Sequence, residues 1–366
     1  MYIPEEVAEK TARIRKLMAE RGLRGIYLKK SSNFSWVTGG GYNIVGLGTE
    51  MGIAGVLVTA DRKYVVCQNI EAPRMEEEEM LGAPDYEVKP YPWYEDGEAD
   101  LVAKLAGGPV GADHGLPGAS DISSAINPLR WSLTPWEVER YREQGRLTAL
   151  AAEETAETIR PGDTEYQVVA RLSERLWSRG MDFIVAFCAA DDRISRFRHP
   201  VATSRKIENR AMISVNSRRR GLIVSITRFV QFGKVPEKLK KIYRDTVYVD
   251  TAMMAATTPG RPALEAFQAG LAAYAEKGVP EEYKLHHQGG SIGYIGRDYK
   301  VTFTTRETVR ENQGFTWNPS ITGAKSEDTM IATSAGPMII SEPVIFPTLL
   351  MEKGGHTFRR PDILEL

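Results

Sequence analysis

At Thr134 the chain changes its pattern, and that change limits the fold more than any other feature. Thr134-Pro135-Trp136-Glu137 combines a hydroxyl N-cap, Pro at the first helical position and Glu three residues after the cap. This capping box commits the next segment to a helix. The helix is predicted to run to about Ile159, where Pro161-Gly162 stops it, and Thr164 with Gln167 starts a second one carrying Val168, Leu172 and Leu176 on one face. Upstream, short elements alternate. Val7, Ile14, Leu17 and Met18 recur at helical spacing within residues 5–21, GIYLKK follows as a strand, and Gly39-Gly40-Gly41 marks a turn. GVLVT and KYVVCQ read as buried strands split by the turn ADR, and PVGADHG near residue 110 as another short strand. After the second capped helix, AMISVNSRRRGLIVSITRFVQFG reads as two β-rich runs joined by the turn Arg218-Arg219-Arg220-Gly221. Helices are then expected over about 236–255 and 262–277, with strand and loop to the end. The chain therefore divides into an α/β domain over residues 1–130 and an α+β domain over 131–366.

Composition removes several function classes. The 366 residues suffice for two cores, and 47 basic against 48 acidic residues leave a net charge of -1. No basic excess asks for nucleic acid or an anionic membrane surface. No apolar run reaches the ~18 residues of a membrane span, and MYIPEEVAEK has no secretory pattern, so the cytoplasm is the expected location. Cys67 in YVVCQNI and Cys188 in FIVAFCAA sit in apolar runs, which predicts buried free thiols. No zinc-type cysteine spacing is present.

The order of segments is more specific. IRPGDTEYQV, RHPVATSRKI, the hairpin ending in SITRFV, HHQGGSIGY, WNPSITG and KSEDTMI follow one another. In this order, over residues 134–335, the chain resembles aminopeptidase P, prolidase and creatinase, which share the pita-bread fold. KTARIRKLMAERGLRGIYLKKSSNFSWVTGG is similar to their creatinase/prolidase N-terminal domain. The resemblance implies an α/β N-terminal domain, an α+β pita-bread C-terminal domain and a homodimer. Metal-dependent relatives hold two divalent ions with two Asp, one His and two Glu, because two cations share a hydroxide nucleophile and polarise a carbonyl. Anchored on Gly221 and Ile226-Thr227-Arg228, the two Asp positions fall at Ser214 and Ser225. The His position is Gly290 in Gly289-Gly290-Ser291-Ile292-Gly293, and the first Glu is Asn318 in Asn318-Pro319-Ser320. Glu327 alone survives, in Ser326-Glu327-Asp328, and a slip of two residues to Asn216 restores no charge. One carboxylate with hydroxyls and an amide is a poor site for two divalent ions. The expectation is no metal and no cofactor.

What the motif segments keep is basic. His199 in Arg198-His199-Pro200-Val201 stands where creatinase, the metal-free hydrolase of this fold, has its proton-carrying His. His286 matches the first His of the family's His-Gly-x-Gly-His motif. His287 is its neighbour, and in a strand only one of the two would enter the pocket. Arg228, Arg297 and Lys325 lie in or beside the motifs, which suits an anionic substrate. In this reading His199 shuttles the proton, Glu327 orients that His or the attacking water, and Asn318 donates to developing oxyanion charge. Trp36 belongs to NFSWVTGG, a loop lining the pocket in relatives. Structural alternatives stand beside these roles: Arg228 as an ion-pair residue with Glu327, the Arg218–Arg220 run as a solvated turn, and Trp36 and Trp317 as packing residues. Thr227 replaces a creatinase Glu, which argues against creatine as substrate. No Ser or Cys occupies a nucleophile motif. Three functions follow from the resemblance: a metal-independent, creatinase-like hydrolase of a C–N (amide or amidine-like) bond in a small anionic molecule; a pseudoenzyme that binds or regulates; and a metal-dependent Xaa-Pro aminopeptidase or dipeptidase.

Overall fold

A computed structural model describes residues 3–82 and 85–366. They form two compact units, mainly the residues up to Arg130 and those after it. The first begins with α1 (Pro4–Arg21), which carries Pro in its first turn and ends on Gly22 at φ 64, a left-handed cap that glycine adopts without a Cβ clash. Its six-stranded sheet contains β1 (Gly25–Lys30), β2 (Met51–Thr59), β3 (Lys63–Gln68), β4 (Glu87–Tyr91), β5 (Val110–Ala112) and β6 (Ser120–Asp121) in the order β4-β3-β2-β1-β5-β6. Helices α2 (Ser31–Val37), α3 (Ala72–Glu77), α4 (Glu98–Ala106) and α5 (Ser123–Arg130) connect the strands. The stretch around Trp36, expected to be a pocket-lining loop, is helical, and Trp36 is 0% exposed with Lys10 Nζ over its ring at 5.9 Å. Phe34 and Val37 are buried with it, so Trp36 is corrected from a substrate contact to a packing residue of this unit.

The second unit opens on α6 (Pro135–Glu157) and α7 (Glu165–Trp177), and both capping boxes form, Thr134 with Glu137 and Thr164 with Gln167. Strands β7 (Asp182–Ala190), β8 (Arg210–Arg219) and β9 (Leu222–Gln231) follow, with the short α8 (Arg193–Arg196) between the first two. Arg220 and Gly221 have φ of 50 and 82, the positive pair that a two-residue hairpin turn requires. The turn is thus tighter than the four residues expected. Arg218 lies in β8, where its guanidinium grips Asp182 through two hydrogen bonds of 2.9 Å. It is a paired strand residue, not part of a solvated turn.

Helices α9 (Glu237–Ala256) and α10 (Ala263–Glu276) come next, then β10 (Gly289–Ser291), β11 (Tyr299–Lys300), β12 (Gln313–Trp317), β13 (Ser320–Ile321), β14 (Ala324–Lys325), β15 (Asp328–Thr333) and β16 (Gly336–Ile339). The hairpin β17 (Thr348–Lys353) and β18 (His356–Pro361) precedes β19 (Leu364–Glu365). Two sheets organise the unit, β19-β9-β8-β7 and β11-β10-β12-β15-β16. Met253, Phe267, Tyr274, Phe315, Trp317 and Met330 belong to one buried cluster that joins the helix pair to the larger sheet. Trp317 is therefore a core residue, and its indole N–H donates to Thr257 Oγ1 at 2.9 Å. Cys67 and Cys188 are buried free thiols. Among the described residues, no helix is long and apolar enough to cross a membrane.

Candidate active site

Three histidines meet at one place. His199 follows α8, while His286 and His287 follow the 3-10 turn Glu282–Leu285. His286 Nε2 lies 3.3 Å from His199 Nε2, and the ring centroids of His287 lie 4.5 Å from His286 and 6.0 Å from His199. The expectation that only one of the neighbouring pair could enter is overturned. Strand alternation does not apply, because β10 begins only at Gly289 and His286 is the cap of a 3-10 turn. Gln288 fixes this loop: its amide donates to His286 O at 2.7 Å and accepts from Tyr274 Oη at 2.8 Å.

Burial and Lys325 push the His199 imidazole down from its ordinary value. The same two causes take His286 to about 2, and burial with Arg297 takes His287 to about 3. All three are neutral at pH 7. A folded-state value below the unfolded one means stability is present above about pH 6.5 and is lost as pH falls towards the folded value. For buried His286 the loss is about 1 kcal/mol per pH unit. Urea unfolding of chelator-treated protein between pH 7 and 5 is expected to show a steeper acid loss for wild type than for His286→Asn. Parallel curves would contradict this.

Two of the five carried-over ligand positions, Ser214 and Glu327, come together around a cation of the protein itself. Lys325 Nζ donates to Glu327 Oε2 at 2.7 Å and to Ser214 Oγ at 3.3 Å. Thr227 and Ser214 hydroxyls donate to the same Oε2 at 2.9 and 3.2 Å, and Arg297 Nη2 donates to Oε1 at 3.3 Å. Burial alone would raise the Glu327 carboxyl, but Lys325 and Arg297 hold it down to about 2. Three donors crowd Oε2, while Oε1 accepts only the 3.3 Å bond from Arg297, so any orienting role of Glu327 would fall to Oε1. Lys325 and Arg297 share one anion, so the cluster keeps one surplus positive charge. Ser225 Oγ and Asn318 Oδ1 are buried with no hydrogen-bond partner among the described residues.

This donor set does not fit two divalent ions. An ammonium sits on the one surviving carboxylate, and the other positions offer two hydroxyls, an amide and a glycine. The backbone enforces the glycine. A Cβ on Gly290 would lie 2.1 Å from Tyr299 O, because β10 is sandwiched between β11 and β12. Gly290→Ala is expected to cost about 3 kcal/mol or more by overpacking against backbone, read as a fall in unfolding midpoint. An unchanged midpoint would show that the strand can yield and that a histidine could return.

Arg228 is corrected. Its guanidinium is fully buried and donates to Glu153 at 3.0 Å, Asp328 at 3.0 Å, Thr227 O at 3.0 Å and Ser341 O at 2.8 Å. It holds helix α6 to strands β9 and β15, and its complete burial keeps it from a substrate. Its acidic partners are Glu153 and Asp328, not Glu327. Adjacent residues of an extended segment face opposite ways, so Glu327 and Asp328 serve different networks. Lys325 and Glu327, two apart, share a face, and that spacing is the signal by which their pairing could have been read.

Comparison with known proteins sets this site in context. Residues 139–334 match the model of metallopeptidase family M24, and residues 10–116 that of the creatinase/prolidase N-terminal domain. An uncharacterized peptidase from Staphylococcus haemolyticus is 22% identical over 236 residues, covering 62% of this chain and 67% of that protein. The solved Xaa-Pro dipeptidase from Bacillus anthracis superposes with a TM-score of 0.75 at 21% identity, covering 98% of this chain and 100% of that one. The prolidase from Pyrococcus horikoshii gives 0.77 at 20% identity, covering 92% and 99%. At such identities the structural likeness speaks for the fold, an α/β N-terminal domain followed by a pita-bread domain.

Proposed function

Since the chain belongs to metallopeptidase family M24, we propose that it is a peptidase-type hydrolase that cleaves a C–N bond, amide or amidine-like, in a small anionic molecule without the family's metal pair. The observation that carries this reading is the Lys325 ammonium, 2.7 Å from Glu327 and 3.3 Å from Ser214, at the positions where ion ligands would be. A fixed cation there supplies positive charge to a carbonyl or amidine centre, as the metals do elsewhere in the family. His199, exposed and neutral, takes a proton from water as the water oxygen bonds to carbon. It returns that proton to the nitrogen as the C–N bond breaks. His286, 3.3 Å behind it, shares the charge of the transient imidazolium. The surplus positive charge on Arg297 and Lys325 favours a substrate carboxylate, and Asn318 serves as a neutral donor to oxyanion charge. A homodimer is part of this proposal, and sedimentation of the purified chain tests it.

A second reading, a binding or regulatory pseudoenzyme, draws on the engagement of Glu327 by Thr227, Arg297 and Lys325, which ties this carboxylate into a structural cluster. The metal-dependent Xaa-Pro peptidase reading has the least support, given the ligand set and the barrier at Gly290. The deciding experiment treats the protein with chelator and screens N-acyl and N-amidino amino acids by product release. Turnover that persists in chelator supports the proposal. Turnover of Xaa-Pro dipeptides that requires added manganese would sink it.

A further inference from the structure

His199 and His286, which serve proton transfer above, together with His287 also have the geometry of a metal site, with ligands entirely different from the family's five. We infer that His199, His286 and His287 bind one divalent ion of the zinc class. One ligand nitrogen from each lies within 4.8 Å of the others. The Nε2–Nε2 separation of His199 and His286 is 3.3 Å. A zinc–nitrogen bond of 2.0–2.1 Å in a tetrahedron sets the ligand–ligand edge at about 3.3 Å, so this pair already stands at coordinating distance.

The surroundings define which ion and how firmly it is held. All three ligands are nitrogen, and Glu327 is already bonded to Lys325, Arg297, Thr227 and Ser214. A nitrogen-only set selects zinc, cobalt, nickel or copper over the oxygen-seeking manganese, magnesium and calcium. His199 is exposed while His286 is buried, so the cluster opens on one side. A fourth position is left there for water, as in three-histidine sites. Nδ1 of His286, the nitrogen opposite the one that faces His199, is buried without a hydrogen-bond partner among the described residues. Metal-bound imidazoles ordinarily gain affinity from such a partner, and its loss costs about 10–100-fold. The site is therefore an exchangeable one. An ion seated there takes the lone pair that His199 needs for proton transfer, so it acts as an inhibitor of the proposed reaction and not as its cofactor. The geometry stands whether or not that reaction does.

The test is titration of the chelator-stripped full chain with Co2+, followed by visible absorption and by displacement with Zn2+. The expected result is one Co2+ per chain with the intense spectrum of tetrahedral cobalt, bleached by Zn2+. His286→Ala and His287→Ala, each checked for unchanged circular dichroism, are expected to weaken binding at least tenfold. His287→Ala, at the less buried position, keeps the test usable if His286→Ala does not fold. The weak spectrum of octahedral cobalt, two ions per chain, no binding at 100-fold excess, or binding indifferent to either His substitution overturns the inference. None of these readouts involves turnover, so failure of the hydrolase reading cannot be mistaken for failure of the metal site.

Discussion

Replacing Glu327 with alanine is expected to destabilise the protein by about 3–5 kcal/mol, because it strands two buried cations. Lys325 and Arg297 are 9% and 14% exposed and share this one carboxylate. Thr227 and Ser214 lose their acceptor as well. At about 2–4 °C per kcal/mol for a unit of this size, the midpoint should fall by roughly 10 °C. A triple substitution, Arg297→Met, Lys325→Met and Glu327→Leu, removes the charges together and is expected to restore most of the loss, since apolar replacement of a buried ion cluster is often neutral or better. The pH dependence has a definite sign. The Glu327 carboxyl is depressed to about 2, so its contribution is complete above the unfolded value near 4.3 and fades as pH falls towards 2. The gap between wild type and Glu327→Ala should therefore narrow below about pH 4. A single-variant loss under about 1 kcal/mol would place Lys325 and Arg297 in solvent and remove the argument that an ammonium has taken over the metal position.

The same fold separates what local sequence patterns encode from what only tertiary packing decides. The fold was readable because local rules and tertiary structure agree. Both capping boxes form where hydroxyl and Glu or Gln spacing places them, and GIYLKK is strand Gly25–Lys30. The motif order identified the family because each segment carries a small, fixed element. The side-chain partners were less legible, since pairing depends on which segments lie next to one another. Arg228 finds Glu153 from 75 residues away and Asp328 from 100, and neither separation leaves a local trace. Arg218 lies beside Asp182 because β8 runs antiparallel to β7. The two neighbouring histidines converge because the chain leaves a 3-10 turn there, and the alternation rule presumed a strand. Gly290 reads in sequence as a lost ligand. Only the packed sheet shows that a side chain has no room at that position.

His199→Ala is expected to lower turnover of whichever C–N substrate the screen identifies by about 10²–10⁴-fold, the usual contribution of a positioned acid–base group. KM should change little, because His199 is exposed at the mouth of the trio and its partner at 3.3 Å is another imidazole and not an anchoring charge. The stability cost should be small for the same reason, which lets a kinetic loss be assigned to chemistry. His199→Gln keeps a polar group of similar reach but cannot carry a proton at neutral pH, so it should be nearly as slow as alanine. Recovery of activity in the glutamine variant would make His199 a positioning residue. The binding reading makes the opposite forecast: His199→Ala leaves ligand affinity intact, no substrate is turned over by wild type, and charge removal at Arg297 abolishes binding. Both readings require the surplus positive charge held by Glu327. They part only at the imidazole, so a rate and an affinity measured on the same His199 variant decide between them.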